Sequence, residues 1–485
     1  MPSDAGYLQG GDVSYLVGSV ILGVAGALLA TAIVGLALGD GSAGPLLVSA
    51  ATAAVLGGLP RFLAKRPEHI NFREAFATVS FSWTAVAIVG ALPYLFAGAV
   101  QDPAAALFES MSGFTTTGST IFSDIEAVAP GILLWRSVTQ WLGGMGFIVL
   151  GVAILPHLGV GGMQLFQLEA PGPTADRLQP RIRETARILW LVYLVLTVVL
   201  TLLFLLGGMP LFDAVNHALT TMPTGGFSTQ NESLGAYGAN IQWIAILFMF
   251  IAGINFTLHY RVLGKGLKAY WRDSEWRLYT GVTVACCIIV AILIRDPEAS
   301  FARSIRDASF QVVSILTTTG FMSADYVLWA PAAQAVLFLL LFLGGMAGST
   351  SGGMKMIRVQ LVAKHAWIEI RKQLHPRGVF VHKIGHRAVP DAIVMNVLGF
   401  VLIYLMLFTV GTFAMTTFGL TLTAAAGATA TAISNVGPGF AELGPTANFG
   451  WIPWQAQLIL AFLMLVGRLE IYTVLILFHR GLWRR

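Results

Sequence analysis

Four short stretches of the sequence combine hydroxyl or amide residues with glycine in a pattern that favours cation binding by backbone carbonyl oxygens. They are SGFTTTGST (112–120), TTMPTGGFST (220–229), LTTTGFMSAD (316–325) and ISNVGPGFAE (433–442), called signature segments 1 to 4 below. Carbonyl oxygens around an axis can replace the hydration shell of a cation. Glycine adopts the unusual dihedral angles of such a backbone at little cost. One such stretch is a weak signal, whereas four in matched positions are a strong one.

One glycine of each signature segment can be aligned with a glycine of the other three. The predicted binding atoms are the backbone carbonyl oxygens of that glycine and of the two residues before it. By segment, these residues are Thr116, Thr117 and Gly118; Pro223, Thr224 and Gly225; Thr318, Thr319 and Gly320; and Asn435, Val436 and Gly437. Because the four sequences differ, the predicted site is not strictly fourfold symmetric.

A fifth stretch, GGMAGSTSGGMK (344–355), interrupts a long apolar run directly after AVLFLLLFL. Its glycine and hydroxyl residues are Gly344, Gly345, Gly348, Ser349, Thr350, Ser351, Gly352 and Gly353, and residues 344–353 are called the Gly-rich loop below. Backbone outside a helix is tolerated at membrane depth only where protein buries it or it lines a cavity. We expect the loop to lie across a permeation path below the signature segments and to act as a gate. A simple helix kink is the alternative.

The spacing of Gly348 and Gly353 also matches part of a phosphate-binding loop. Met354 separates the second glycine from Lys355, and no strand precedes the stretch, so the sequence does not fit that motif.

Arg468 lies near the middle of the last apolar run, WQAQLILAFLMLVGRLEIYTVLILF. A charge there would cost at least ~2.5–3.5 kcal/mol facing lipid, so it should face a cavity or a partner. In a cation pore it would be an electrostatic barrier, and we predict that it gates together with the Gly-rich loop. The alternative is a structural pair with Glu470, but residues two apart on a helix do not face each other.

Three further residues bear on the outer end of the predicted pathway. Arg136 and Gln140 lie one helical turn apart and are expected to support the outer mouth. Glu109 is expected to belong to an acidic outer surface that concentrates cations, although solvated surface charge explains such a surface equally well.

The composition indicates that membrane-spanning helices position these residues. The chain has 485 residues, 56% of them hydrophobic and 11% charged, with a mean hydropathy of +0.75, which is typical of a polytopic membrane protein. The apolar runs lie near 14–39, 45–60, 75–99, 131–156, 188–208, 241–263, 278–294, 331–354, 391–418 and 453–479. These runs contain no paired carboxylates, nucleophile–base set or metal-ligand cluster, which argues against an enzyme.

The basic residues predict how the runs are oriented. Five groups, within 61–73, 177–187, 261–277, 355–387 and 480–485, hold 24 of the 29 Lys and Arg residues. Loops rich in Lys and Arg are cytoplasmic, so both termini should be inside. The net charge of +5 is then a topology signal and gives no support for nucleic-acid binding.

Between the basic groups the chain repeats one design: apolar run, short segment, signature segment, apolar run. The short segments are PAAALFESMSG, PLFDAVNHALT, FARSIRDASFQVVS and LTLTAAAGATATA. They are too short to span a bilayer, which takes about 20 residues, and suit re-entrant half-helices. Four half-helices ending at membrane depth would direct partial negative charge at one point and favour a cation. Gly-rich outer turns in a membrane enzyme or scaffold are the alternative, but ordinary turns need no helical segment before them.

The predicted fold is therefore an all-α polytopic membrane protein with four pseudo-symmetric membrane–pore–membrane repeats around one pore. The predicted boundaries are 1–69 for an N-terminal two-helix hairpin, then 70–175, 176–273, 274–385 and 386–485 for repeats 1 to 4.

These repeats, the glycine-rich break in the third and the arginine in the last run resemble the Trk/Ktr/HKT superfamily of cation transporters over residues 70–480. The N-terminal hairpin and the length resemble its bacterial Trk type more than the shorter Ktr type. The resemblance implies uptake of potassium, bound at the carbonyl oxygens, through a gated, channel-like pore in a bacterial inner membrane. It also implies a homodimer and a TrkA-like cytoplasmic regulatory ring that binds nucleotides.

Two consequences follow from the resemblance. Because the sequence contains no soluble nucleotide-binding domain, any nucleotide would be bound by another chain on the basic cytoplasmic face. The competing function is potassium symport with protons or sodium, for which Glu470 is the clearest titratable candidate.

Overall fold

The computed structural model describes residues 10–67, 71–153, 178–295, 300–385 and 387–483, and it is largely helical. In chain order the helices are α1 (Gly10–Leu38), α2 (Ala43–Leu63), α3 (Phe72–Phe96), α4 (Pro103–Phe114), α5 (Pro130–Ala153), α6 (Leu178–Leu206), α7 (Leu211–Thr221), α8 (Ala239–Ala252), α9 (Phe256–Lys265), α10 (Lys268–Arg272), α11 (Ser274–Leu293), α12 (Phe301–Leu316), α13 (Pro331–Leu340), α14 (Met356–Leu374), α15 (Asp391–Thr417), α16 (Leu422–Ser434), α17 (Trp454–Arg468), α18 (Tyr472–Leu475) and α19 (Arg480–Trp483). Strands β1 (Lys383–Ile384) and β2 (Arg387–Ala388) form a small antiparallel pair before α15.

Six of the described helices, α1, α2, α3, α6, α11 and α15, are long and apolar enough to cross a membrane. Two more spans are counted if each of two sharply bent helix pairs is one span. The protein is thus a multi-pass membrane protein. The repeat boundaries predicted at residues 70, 176 and 386 lie outside the described residues.

The N-terminal hairpin is made of α1 and α2, which pack closely along their length. The crossing depends on two glycines, because a Cβ on Gly18 would lie 2.6 Å from the carbonyl oxygen of Gly57. The absence of side chains at this point lets the two backbones touch.

The four predicted short segments are helices in the structure. They are α4, α7, α12 and α16, and each leads into one signature segment. Local signals set the start of two of them: the Asp102 carboxylate accepts a hydrogen bond from the Ala104 N–H at 3.0 Å, and Thr421 caps α16 in the same way.

Helices that follow the signature segments pack on these short helices. Helix α5 packs on α7, α8 packs on α12, and α17 packs on α4. Each contact joins the helix after one signature segment to the short helix before another. The last contact brings the C-terminal part of the chain back to the first signature segment.

Three apolar runs are broken in the structure, and the sequence predicts the break in only one of them. Run 241–263 bends by 99° between α8 and α9, and run 453–479 bends by 112° between α17 and α18. The helix in run 331–354 ends at Leu340, as the glycine content of that run predicts. At the first bend the Asn255 side chain accepts a hydrogen bond from the Thr257 N–H at 2.8 Å and so starts a new helix.

Candidate functional site

The four short helices end in the same way. At the end of each, one residue adopts positive φ, namely Thr116 (53°), Thr224 (56°), Thr318 (58°) and Asn435 (57°). The N–H of the following residue bonds back to the last helical turn, from Thr117 to Ser112, Gly225 to Thr220, Thr319 to Ser314 and Val436 to Thr431. This is the Schellman helix ending, in which glycine usually takes the left-handed position.

Three of the four left-handed positions hold threonine, a β-branched residue that rarely adopts positive φ. Such a conformation costs on the order of 1–3 kcal/mol and persists only where the surroundings fix it. Thr116, Thr224, Thr318 and Asn435 are all buried. Strain repeated at four equivalent positions indicates a function for this backbone.

Two residues after each left-handed residue stands a glycine that also has positive φ: Gly118 (87°), Gly226 (75°), Gly320 (81°) and Gly437 (111°). The alignment made from the sequence is therefore wrong in signature segment 2, where Gly226 and not Gly225 takes this position. Pro223 corresponds to Thr115, at the end of the short helix, and Gly225 corresponds to Thr117. The TGG sequence allowed either glycine, and the positive φ of Thr224 and Gly226, which Gly225 lacks, selects the register.

Contacts between the segments show that they form a closed ring. A Cβ on Gly118 would overlap the carbonyl oxygen of Gly225, one on Gly226 that of Thr319, and one on Gly320 that of Val436. A Cβ on Gly437 would lie 2.8 Å from the carbonyl oxygen of Thr117. The segments therefore meet in the cyclic order 1, 2, 3, 4 and back to 1, with equivalent atoms at each junction. Glycine is required at these positions by both φ and space.

A polar cavity of about 110 Å³ lies against this ring. It is lined by Gly118, Gly226, Gly320 and Gly437, with Arg136 and residues from the stretches that follow the glycines. Gly225 is not among the lining residues, which agrees with the corrected register.

Side chains already bond to two of the ring carbonyl oxygens. Gln140 Nε2 donates to the Gly225 oxygen at 2.7 Å, and Ser119 Oγ donates to the Gly437 oxygen at 2.7 Å. Gln140 Oε1 also accepts from the Phe227 N–H at 3.1 Å. One side chain therefore bonds to the residue before Gly226 and to the residue after it. The ring is thus asymmetric in its hydrogen bonding as well as in its sequence.

Arg136 and Gln140, which are expected to support the outer mouth, both contact the signature segments, whereas Glu109 is buried and does not belong to an acidic surface. Arg136 Nε lies 2.8 Å from Glu109 Oε1, and both side chains are buried. Glu109 also accepts from the Ile121 N–H at 2.9 Å, and Arg136 donates to the Ser228 carbonyl oxygen at 3.1 Å. The pair therefore fixes the chain just beyond the glycines of segments 1 and 2.

The Gly-rich loop lies directly against the helix-end side of the ring. The Gly352 N–H donates to Thr318 Oγ1 at 2.6 Å, and the Thr350 hydroxyl donates to the Met222 carbonyl oxygen at 3.0 Å. A Cβ on Gly352 would overlap the carbonyl oxygen of Ser434. The loop thus contacts the ends of three of the four short helices, those of segments 2, 3 and 4.

The ends of the loop are held at its base. The Gly344 N–H bonds to the Met354 carbonyl oxygen at 2.8 Å and closes the loop. Glu275, at the start of α11, accepts from the N–H groups of Ala347 and Ile357 at 2.8 and 3.0 Å. Lys355 is buried and donates to the Ser351 carbonyl oxygen within the loop. The sequence gives no sign of these contacts, because Glu275 is distant in the chain and Lys355 belongs to a basic group that is predicted to be cytoplasmic.

Arg468 is buried and contacts the loop, its Nη1 donating to the Thr350 carbonyl oxygen at 2.7 Å. The alternative partner, Glu470, forms its ion pair with Arg358 of α14. The two predicted gate elements therefore touch each other below the ring.

The fold and this site define a polytopic membrane protein in which four short helices converge on a backbone ring, with a buried loop packed against the helix ends and an arginine bonded to that loop. The family model of TrkH, described as a cation transport protein, matches residues 47–483. The chain belongs to this family.

Similar proteins agree with this membership. The Trk system potassium uptake protein TrkH of Salmonella typhimurium is 38% identical over 483 residues, covering 97% of this chain and 99% of that protein. The protein of the same name from Halomonas elongata is 41% identical over 428 residues, covering 86% and 87%. The crystal structure of the potassium transporter TrkH from Vibrio parahaemolyticus superposes with a TM-score of 0.91 at 36% identity, covering 98% of this chain and 100% of that one.

Proposed function

We propose that this protein takes up potassium through a gated, channel-like pore formed by the ring of signature segments. The observation that carries the proposal is the closed ring itself, in which four equivalent backbone segments touch glycine to carbonyl. The relatives named as potassium uptake proteins supply the identity of the ion.

In this proposal the ion is bound by backbone carbonyl oxygens of the three residues from each left-handed residue to its glycine. These are Thr116, Thr117 and Gly118; Thr224, Gly225 and Gly226; Thr318, Thr319 and Gly320; and Asn435, Val436 and Gly437. Gly226 replaces Pro223 in the set predicted from sequence. Because side chains already bond to the oxygens of Gly225 and Gly437, we expect fewer equivalent ion sites, and looser discrimination against sodium, than in a fourfold symmetric filter.

The Gly-rich loop and Arg468 form the gate. The loop lies across the inner end of the ring, and the arginine adds a fixed positive charge where screening is weak, which raises the barrier to a cation. The contact between Arg468 and Thr350 supports a closed state in which both obstruct the same path.

The wider arrangement follows the family. The chain would lie in a bacterial inner membrane with both termini and the basic groups on the cytoplasmic side. Four pore repeats, from about residues 70, 176, 274 and 386, would follow the N-terminal hairpin, and two chains would form a homodimer. A separate nucleotide-binding ring, similar to TrkA, would dock on the basic face.

Reversal potentials in proteoliposomes test the function. A potassium channel should reverse at the potassium equilibrium potential and should be unaffected by a proton or sodium gradient. A reversal potential that shifts with protons or sodium would identify a symporter instead. Absence of potassium-dependent flux, with and without the cytosolic partner, would contradict potassium transport altogether.

A further inference from the structure

The bend between α17 and α18 is not explained by the local sequence. Residues 468–478 read RLEIYTVLILF and contain neither glycine nor proline, yet the helix direction changes by 112° after Arg468. Gly467 directly precedes this stretch, but the positive φ angles of the bend are at Glu470 and Ile471 and not at Gly467. Sharp helix bends usually have a local cause of that kind. The bend at 253–255, by comparison, includes Gly253 and the capping Asn255. Contacts from elsewhere in the fold must therefore impose the bend after Arg468.

The backbone at this bend is strained. Glu470 has φ 64° and occupies the left-handed position of a Schellman ending, with the Ile471 N–H bonded to the Val466 carbonyl oxygen at 2.9 Å. Ile471 then has φ 47° and ψ −62°, and the Tyr472 N–H bonds to the Glu470 carbonyl oxygen at 2.5 Å. A three-residue turn with positive φ is rare, and a β-branched residue makes it costlier. Such strain persists only where the surroundings fix it.

The contact that fixes Glu470 is its ion pair with Arg358. The side chains of Arg358 and Glu470 are 4% and 13% exposed, and the guanidinium also lies 4.0 Å from the ring centre of Phe400 on α15. Removing one partner of a buried pair leaves an uncompensated charge, which is strongly unfavourable. The free-energy cost of breaking the pair is therefore large enough to keep the turn in its strained conformation.

The position of the pair connects it to the gate. Arg358 lies in the first turn of α14, which begins directly after the base of the Gly-rich loop. Glu470 lies two residues after Arg468, whose guanidinium bonds to Thr350 in the middle of that loop. The loop and α17 are thus joined twice, once at the middle of the loop and once just beyond its base.

We propose that Arg358 and Glu470 are positioning residues that hold α14 against the end of α17, and so keep Arg468 on the carbonyl oxygen of Thr350. The inference rests on the proposed function, since it concerns the same gate. Movement of α14 separates the pair, and Glu470 then loses the contact that keeps it in the left-handed conformation. Helix α17 is free to continue toward α18, and Arg468 leaves the loop.

Basal potassium flux through the purified, reconstituted protein tests this inference. Arg358→Gln and Glu470→Gln should each raise the flux about tenfold, a factor that needs only ~1.4 kcal/mol in the closed–open equilibrium. Glu470→Gly should raise it as well, because glycine tolerates the left-handed turn but lacks the charge. The swapped variant Arg358→Glu with Glu470→Arg should return to within about twofold of wild type. The matched control is Arg303→Gln, which removes an exposed guanidinium from Asp307 and should change nothing, since Asp307 keeps its pair with Arg306.

Distances between spin labels provide a readout that a merely structural role would not change in this way. Cysteines replace the exposed residues Ile370 of α14 and Phe478 after α18, and Cys286 and Cys287 are removed. With Arg358 and Glu470 unchanged, spin labels on the two new cysteines should show one distance. Glu470→Gln should add a second population. Wild-type flux in all three single variants, flux that stays high in the swapped variant, or an unchanged distance distribution would each overturn the inference.

The outcome separates this inference from the proposed function. If Arg468→Ala raises the flux but the Arg358 and Glu470 variants do not, the gate stands and the positioning pair is wrong. If no variant carries potassium, the proposed function is wrong, and the spin-label distances alone decide the role of the pair.

Discussion

Arg468 Nη1 donates a hydrogen bond of 2.7 Å to the backbone carbonyl oxygen of Thr350. Because the acceptor belongs to the main chain, a substitution at Thr350 does not remove it. The Thr350 hydroxyl bonds separately, to the carbonyl oxygens of Met222 at 3.0 Å and Ala252 at 3.3 Å. The loop is therefore held on one side by a charge and on the other by a hydroxyl group.

Arg468→Ala should raise basal cation flux about tenfold, because it removes both a fixed positive charge and the contact that holds the loop. Deleting part of residues 344–353, with the flanking helices kept, should do the same. The two changes act on one contact, so their combined effect on the closed-state free energy should be less than additive. Flux through purified protein without a cytosolic partner is the measurement. Unchanged flux in both single variants would leave the loop as a kink and Arg468 as a structural charge.

Gln140→Ala should weaken the preference for potassium over sodium. The substitution leaves the Phe227 N–H without its acceptor, at a cost of ~1–3 kcal/mol, and removes the donor to the Gly225 oxygen. Both losses loosen the backbone around Gly226. Reversal potentials in mixed potassium and sodium solutions measure the preference. Gln140→Glu is the matched control for size. It keeps an acceptor for the Phe227 N–H but replaces the donor to the Gly225 carbonyl oxygen with a second oxygen. A wild-type ion preference in both variants would show that Gln140 does not shape the ion path.

The sequence predicts the short helices well, because each combines a compact helical segment with a glycine-containing stop. The segment predicted at 103–113 is α4 (Pro103–Phe114), and that predicted at 420–432 is α16 (Leu422–Ser434). The long helices follow from their hydropathy. In contrast, the bend after Arg468 was missed, because it depends on Arg358, more than a hundred residues earlier in the chain.

The potassium-binding role of the site residues stays a prediction, whereas their register can be compared with the backbone. Three of the four glycines were aligned as the backbone places them, but Gly225 and Gly226 are adjacent and equally suited to a turn. Only the backbone conformation separates them, since Gly226 has positive φ and Gly225 does not. Glu109 was misassigned for a similar reason. A lone acidic residue beside the outer surface gives no sign of the buried Arg136 that faces it across two helices.

Removing one partner of the Glu109–Arg136 pair should destabilise the protein more than removing the exposed arginine of another ion pair. Arg136→Gln leaves Glu109 buried without its counter-charge, and we expect a loss of about 3–5 kcal/mol in the free energy of unfolding. The comparison is Arg303→Gln, whose pair with Asp307 has an arginine side chain 69% exposed and should contribute about 0–1 kcal/mol. Thermal unfolding in detergent measures both. Equal melting temperatures for the two variants would contradict the structural role of the buried pair.

Gly225 and Gly226 differ in what a methyl group would meet. At Gly226, with φ 75°, the added Cβ would overlap the main-chain carbonyl of Thr319 in the neighbouring segment. At Gly225, which has no positive φ, the added Cβ would meet the far end of the Gln140 side chain, which can move. The backbone cannot move without opening the ring, so the two positions should tolerate alanine very differently.

Gly226→Ala should therefore abolish the potassium preference or the uptake itself, whereas Gly225→Ala should reduce it only in part. The same loss is expected for Gly118→Ala and Gly320→Ala, because each of these glycines has positive φ and lies against the carbonyl of the next segment. Ion preference and uptake, measured on protein whose folding is checked by its melting temperature, decide the matter. If Gly225→Ala were the more damaging of the pair, the register read from the sequence would be right after all. The ring would then be offset by one residue in its second segment.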